Sequence, residues 1–265
     1  MQIRRVIVVG YNQLDFTNGW KFICVSFENI DTVDYNLSDI ECYQKDGNPW
    51  SDSGTTSKKS TGNIIVRKIS ANGAYGTPYK YYGSKEKIEA QMGWFDGDRA
   101  SDFSNKVTGD SVTLKSGEGL IFMSEKKDGF LRFSGNVRMT ELTESFTNGW
   151  SFGGNNTPVP MKLSEIQCFQ TDGSVWSDSG TTAKKCTGNI IIRKISASGA
   201  YGTPYKYYGS KDKIEAQMGW FVGDRATDFS NKVTSDNDII FEPGEGWIFL
   251  SEKKNGKLIL PKAIK

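Results

Sequence analysis

The chain has 265 residues, with 33 Lys and Arg against 31 Asp and Glu, a formal charge of +2 and a mean hydropathy of -0.50. Its charges are interspersed, as in "KEKIE" and "SEKK", so no basic face accumulates for a nucleic-acid backbone, and no apolar run is long enough to span a membrane. This is the composition of a globular protein.

The N-terminus "MQIRRVIVVGYN" lacks the apolar core and small-residue cleavage site of a signal peptide, and Ile3 to Tyr11 reads as a strand. Short segments rich in β-branched and aromatic residues follow, separated by Gly, Asn, Asp and Ser. They predict strands over Trp20–Phe27, Asp39–Gln44, Asn63–Ser70, Tyr79–Tyr82, Val112–Lys115, Gly119–Glu125 and Phe130–Ser134. The segment Ser84–Trp94 reads equally as a short helix capped by Ser84 or as a loop. In "KKDGFLRF" an Asp-Gly pair stands between two strands and predicts a hairpin.

From Phe146 the pattern returns. Leu37 to Val107 matches Leu163 to Val233 without a gap at roughly four positions in five, and "GAYGTPYKYYGSK" stands unaltered at Gly73–Lys85 and Gly199–Lys211. Asn-Gly at Asn255 and Gly256 takes the place of Asp128 and Gly129. A period of about 120 residues is that of a domain and not of a solenoid unit. The expected architecture is therefore all-β: two tandem antiparallel β-sandwich or barrel domains from an internal duplication, covering 1–137 and 138–265. The joint near "VRMTELTE" is short and lacks Gly and Pro, so the domains are expected to be held in a fixed relation.

Catalysis is tested by elimination. The chain has no histidine, which removes Ser-His-Asp and Cys-His nucleophile systems and His-ligated zinc. Cys24, Cys42, Cys168 and Cys186 lack CxxC spacing and read as buried thiols, with a Cys168–Cys186 bridge as the rival. Glu89 and Asp98 form a conceivable acid pair, but it recurs as Glu215 and Asp224, and one enzyme seldom needs two identical small sites. The loop "DGDRASD" offers Asp96, Asp98 and Asp102 to calcium, yet Val222 replaces the first of these in the second copy, so a hydrogen-bonded turn is the stronger reading. No catalytic, metal or cofactor site is expected.

The repeated aromatics and polar loops are the better clue to binding. An alternating strand places Lys80 and Tyr82 on one face, and the candidate contact surface is Lys80, Tyr82, Trp50 and Asp52 with their counterparts Lys206, Tyr208, Trp176 and Asp178. The order "GW.F..V", "LSDI", "ISANG", "Y.Y", "GWF.GD", "GEG.IF.S" and "L.FSGNV" resembles a β-rich repeat module of surface and virion-associated proteins of bacteria and their phages. The resemblance covers Gly19–Val137 and, less completely, Gly149–Lys265. It implies a non-enzymatic structural protein of a larger particle, a phage capsid or tail component or decoration. Its partners would be copies of itself or other virion proteins, and its location the virion. The alternative is a bivalent carbohydrate-binding or adhesin-type protein of a cell surface.

Overall fold

A computed structural model describes residues 9–28, 34–51, 64–84, 87–125, 127–176, 190–210, 214–252 and 254–263. The first half contributes β1 (Val9–Phe16), β2 (Gly19–Cys24), β3 (Tyr35–Asn36), β4 (Glu41–Gln44), β5 (Ile64–Arg67), β6 (Tyr79–Tyr82), β7 (Gly93–Asp96), β8 (Thr113–Leu114), β9 (Gly119–Ser124) and β10 (Gly129–Asn136). The second contributes β11 (Leu142–Phe146), β12 (Gly149–Gly154), β13 (Met161–Lys162), β14 (Gln167–Gln170), β15 (Ile190–Arg193), β16 (Tyr205–Tyr208), β17 (Gly219–Val222), β18 (Ile240–Phe241), β19 (Gly246–Ser251) and β20 (Gly256–Leu260). Between them the described residues form only 3-10 turns, and no helix is long and apolar enough to cross a membrane. The protein is all-β, built of open antiparallel sheets and not of closed barrels.

Each half packs a three-stranded sheet on a five-stranded one, in the orders β1-β10-β4 on β2-β9-β5-β6-β7 and β11-β20-β14 on β12-β19-β15-β16-β17. In β10 the residues Leu131, Phe133 and Gly135 are buried while their neighbours reach the surface, the period-two pattern of a half-buried strand. Leu131 and Phe133 meet Phe16, Ile23, Phe122 and Val66 in one continuous core. The second core contains Phe146, Phe249, Ile192 and Leu258. Trp94 and Trp220 close matching positions, donating their indole N–H groups to the Ile40 and Ile166 carbonyls at 2.9 and 2.8 Å.

Two expectations are corrected. Asp128-Gly129 does not make a hairpin: β9 pairs with β2 and β5, whereas β10 pairs with β1 and β4, so the chain passes there from one sheet to the other. Asp128 accepts the Asn18 N–H at 2.8 Å, and Asn255 repeats this with Asn148. Gly129 serves close approach, since a Cβ there would lie 2.3 Å from the Tyr43 carbonyl oxygen. The N-terminal strand starts, among described residues, at Val9 and runs on to Phe16, residues 3–8 lying outside them. The ambiguous segment settles as a loop with a 3-10 turn at Glu89–Gln91, residues 85 and 86 lying outside the described set. Arg99 donates to the carbonyls of Gly83 and Gln91, and the Ser84 hydroxyl accepts the Ile88 N–H, so this backbone is satisfied without a helix.

A third apolar cluster joins the halves. Phe22 and Ile121 from the outer face of one five-stranded sheet meet Phe152 and Ile248 from the other, flanked by Trp20, Ile69, Trp150 and Ile195. The contacts are reciprocal, as about a local twofold axis. Trp20 N–H donates to the Ala197 carbonyl at 2.9 Å and Trp150 N–H to the Ala71 carbonyl at 2.8 Å. Gly19 and Gly149, at φ +120° and +118°, bring these backbones together, and a Cβ on either would lie 2.2 or 2.1 Å from the carbonyl it faces. The Tyr75 and Tyr201 hydroxyls meet at 3.3 Å, and each ring stacks near the other half's phenylalanine, Phe152 or Phe22. Here lies one reason for the repeated "GAYG": each copy is half of the same joint, and Trp150 lies over Gly73 as Trp20 does over Gly199.

The joint is expected to carry stability. Phe22→Ala and Phe152→Ala should each cost about 3–5 kcal/mol, while the double variant falls short of the sum, because the rings touch each other at 5.1 Å. Urea denaturation of the three variants checks this; full additivity would show that the rings act independently.

Candidate functional sites

Tyr82 and Tyr208, expected on a contact surface, are fully buried. They do point away from the sandwich core, but a second layer covers that face. Within the sheet Phe95 of β7 meets Tyr82 edge-on at 5.5 Å, and the loop after β7 folds back so that the Arg99 guanidinium lies 4.7 Å from the Tyr82 ring centre. Phe221 and Arg225 repeat this around Tyr208 at 5.5 and 4.8 Å. Lys80 and Lys206 are turned to Asp98 and Asp224 in ion pairs of 2.6 and 2.7 Å. Trp50 and Trp176 are core residues as well, packed on Phe16 and Phe146 with centroids 5.9 Å apart. Asp52 and Asp178 lie outside the described residues. The tyrosine and tryptophan members of the expected surface are thus corrected, because the second face of the strand is covered too, while Lys80 and Lys206 keep part of their side chains at the surface.

The "DGDRASD" loop is a hydrogen-bonded turn. The Asn105 side-chain amide donates to the carbonyls of Asp96 and Asp98, both at 2.7 Å, and Asp102 accepts from Ser104. Asn231 does the same for Val222 and Asp224 at 2.8 and 2.7 Å. Position 96 contributes a main-chain oxygen, which explains why Val222 can stand where Asp96 does. Among the described residues no cluster of three or more Cys, Asp or Glu is placed to hold a metal. Cys24, Cys42 and Cys168 are buried, and Cys186 lies outside the described set.

Two clefts that sequence reasoning missed flank the joint at corresponding places. The first, about 630 Å³, is ionic: Asp15, Lys21, Lys45 and Asp128 from the first half face Glu245 from the second. Lys21 donates to the Asp15 carbonyl at 2.8 Å, and burial lowers its pKa against the opposing pull of Glu245 and Asp15. The second cleft, about 490 Å³, has hydroxyls at the matching positions, Ser145 for Asp15 and Ser151 for Lys21. Its wall carries Glu144, where the first half has Leu14. The carboxyl of Glu144 rests against Gly117, its Oε1 is sealed from solvent with no hydrogen-bond partner, and burial pushes its pKa up to about 8 despite the nearby Arg138. Both clefts are assembled from strands distant in sequence, so no local motif announces them. The only hint is that most of their lining comes from segments outside the near-identical block, Lys45, Ile195 and Ala197 of the first cleft excepted.

Comparison with family models, with curated proteins and with solved structures finds no match to this chain.

Two predictions follow from these sites. Tyr82→Ser should cost about 3–5 kcal/mol, the scale of emptying an aromatic core position. Lys80→Ser, which breaks an ion pair whose Asp98 side chain is 64% exposed, should cost under about 1 kcal/mol. Equal costs in denaturant titrations would contradict the two-layer description.

Glu144 predicts a pH dependence. Its folded pKa of about 8 exceeds the ordinary 4.5, so the fold binds this proton more tightly than the unfolded chain does. Its contribution is complete below about pH 4.5 and is lost as pH rises toward 8. Glu144→Leu should remove that slope, leaving the variant more stable than the parent by about 2–4 kcal/mol at pH 8.5. Parallel melting curves for the two proteins from pH 5 to 8.5 would show that the carboxyl is ordinary.

Proposed function

We propose that this chain is a non-enzymatic structural protein, a rigid two-headed unit that assembles with copies of itself or with other proteins into a larger particle. A phage virion is the setting that its sequence resemblance suggests. The observation that carries the reading is the reciprocal joint. By burying Phe22, Ile121, Phe152 and Ile248 between the halves, with Trp20 and Trp150 packed at its edge, it fixes two similar sandwiches in one orientation and turns corresponding surfaces outward. Ile88 and Ile214 occupy corresponding outward turns and are 39% and 44% exposed. Two like apolar points on one rigid body make a second attachment intramolecular and raise avidity. The alternative built on exposed aromatic platforms loses support, because Trp50, Tyr82, Trp176 and Tyr208 are interior.

Light scattering and electron microscopy of the purified chain over a concentration series test the proposal. Particles well above the 29.5 kDa monomer are expected, and Ile88→Asp with Ile214→Asp should abolish them while leaving the melting temperature unchanged. A protein that stays monomeric throughout the series, or assemblies indifferent to the double variant, would overturn this reading and its contact points respectively.

A further inference from the structure

Nearly every edge of the three- and five-stranded sheets is covered by the chain itself. In the first half β4 is bonded at Cys42 and Gln44 by Trp50 and Asn48, β7 at Trp94 and Asp96 by Val107 and Asn105, and β2 at Trp20 and Cys24 by Ala197 and Gly244. In the second half β14, β17 and β12 are covered in the same way. Among the described residues no backbone hydrogen bond reaches the outer edge of β1 or of β11. The latter is short and turns Thr143 and Ser145 to solvent. Strand β1 runs from Val9 to Phe16 with no Pro or Lys to discourage pairing, and Val9 and Tyr11 on it are 58% and 74% exposed, more than any other large apolar side chain described.

The register shows which backbone groups of β1 are open. Cys42 and Gln44 bond away from β10, so Glu41 and Tyr43 are the residues of β4 that bond to its Arg132 and Phe130. Leu131, Phe133 and Gly135 therefore face β1, where they meet Leu14, Asn12 and Gly10. The alternate residues Val9, Tyr11, Gln13 and Asp15 point their N–H and C=O groups outward. Lys21 Nζ uses one lone pair of the Asp15 carbonyl at 2.8 Å, which agrees with that direction and leaves the other lone pair open.

The occupant is set by the chain that leads into this strand. Strand β10 ends at Asn136, opposite Val9, and residues 1–8, outside the described set, have the sequence "MQIRRVIV", whose only charged side chains are Arg4 and Arg5. The one charge on β1 is Asp15, which accepts from the Gln13 amide at 2.8 Å and makes no ion pair among the described residues. Beside it the first cleft holds Asp128 and Glu245 against Lys21 and Lys45, and Glu245 is paired with Lys194 at 2.9 Å. Acids and bases there balance once Lys194 is included, so any charge match is local to Asp15. When two β1 strands pair antiparallel about a twofold axis, only registers that set odd residues opposite odd residues join the open groups. The register centred on Gly10 places Tyr11 opposite the partner's Val9, Gln13 opposite the partner's Ile7 and Asp15 opposite the partner's Arg5. An aromatic ring then meets a β-branched side chain and the lone acid meets a base. Moving the centre by one residue sets Asp15 against Ile7 or Ile3 and loses the ion pair.

We propose that β1 is a docking strand for a second copy of this chain. The two β1 strands pair antiparallel in the register centred on Gly10, joining two three-stranded sheets into one, with Arg5 of each copy bound to Asp15 of the other. The contact is isologous and closes as a dimer, since β11 offers no second strand of this kind. It is separate from the Ile88 and Ile214 turns and does not depend on larger particles.

Sedimentation velocity and residue-resolved amide exchange on the full chain test this. A dimer of twice 29.5 kDa is expected, with a Kd of about 1–100 μM. In it the amides of Tyr11, Gln13 and Asp15 become slow as concentration rises, whereas those of Asn12 and Leu14, bonded to β10, are slow throughout. Arg5→Asp and Asp15→Arg should each weaken the dimer about tenfold or more, since the axis doubles each repulsion, and the two together should return it to within about threefold of the parent. Asp15 is exposed, so its replacement should leave the melting temperature of the monomer unchanged. A monomer at all concentrations up to about 1 mM, exchange at Tyr11 and Gln13 indifferent to concentration, or a double variant as weak as the single ones would each overturn the proposal. A dimer dissolved by Ile88→Asp with Ile214→Asp but untouched by the charge variants would place the contact at the turns and overturn it too. A β1 dimer without larger particles supports this contact and counts against particle assembly alone.

Discussion

Everything outside the two sandwich cores is organised by the contact of Phe22 and Ile121 with Phe152 and Ile248. A five-stranded sheet has two faces, and each half uses one for its own core. The other face, left open, would be a large apolar patch of the kind that draws in partners or aggregates. The molecule covers it twice over. Near β2 and β9 the other half closes it, and near β6 and β7 the chain's own loop, with Arg99 and Phe103, does so. The clefts are the gaps left at the margins of this joint, which is why each takes residues from both halves.

The reciprocity also bears on the sequence. A residue at such a joint is matched to its counterpart across the axis, and drift on one side leaves a misfit on the other. Gly73 and Tyr75, with Gly199 and Tyr201, are held in this way, and Lys80 and Tyr82 are held by their own ion pair and covering loop. The margins carry no such tie. There Leu14 corresponds to Glu144, Lys21 to Ser151 and Leu120 to Trp247, and the two sides carry different chemistry.

Much of the fold was legible in the chain. Tyr79–Tyr82 is a strand with the bounds its alternation predicts, and β5 and β9 fall within the segments expected for them. What failed did so for local reasons. Asp-Gly is a hairpin signal only if the strands on either side are neighbours in one sheet, and at Asp128 they belong to two. Strand β7 was hidden because "GWFD" follows a segment with helical spacing, whose carbonyls Arg99 claims from a distance. Period-two patterning separates two faces but says nothing of whether the second is wet, and so Tyr82 was taken for surface. Trp50 carried the same ambiguity. Nothing in the joint singled out Glu144, because its burial depends on Gly117, a neighbour only in space.

Tyr75 and Tyr201 sit where the local axis crosses the joint. Two identical hydroxyls cannot share one hydrogen bond symmetrically: one gives its proton and the other receives it. The pairing therefore chooses a direction that the rest of the joint does not dictate, and reversing it requires only that both O–H groups rotate together. Burial and the neighbouring tyrosine hold the Tyr201 proton, with a pKa pushed up to about 12. A structure whose halves are otherwise tied rigidly thus keeps one binary degree of freedom at its centre, carried by two protons and visible at the surface through two half-exposed phenol rings.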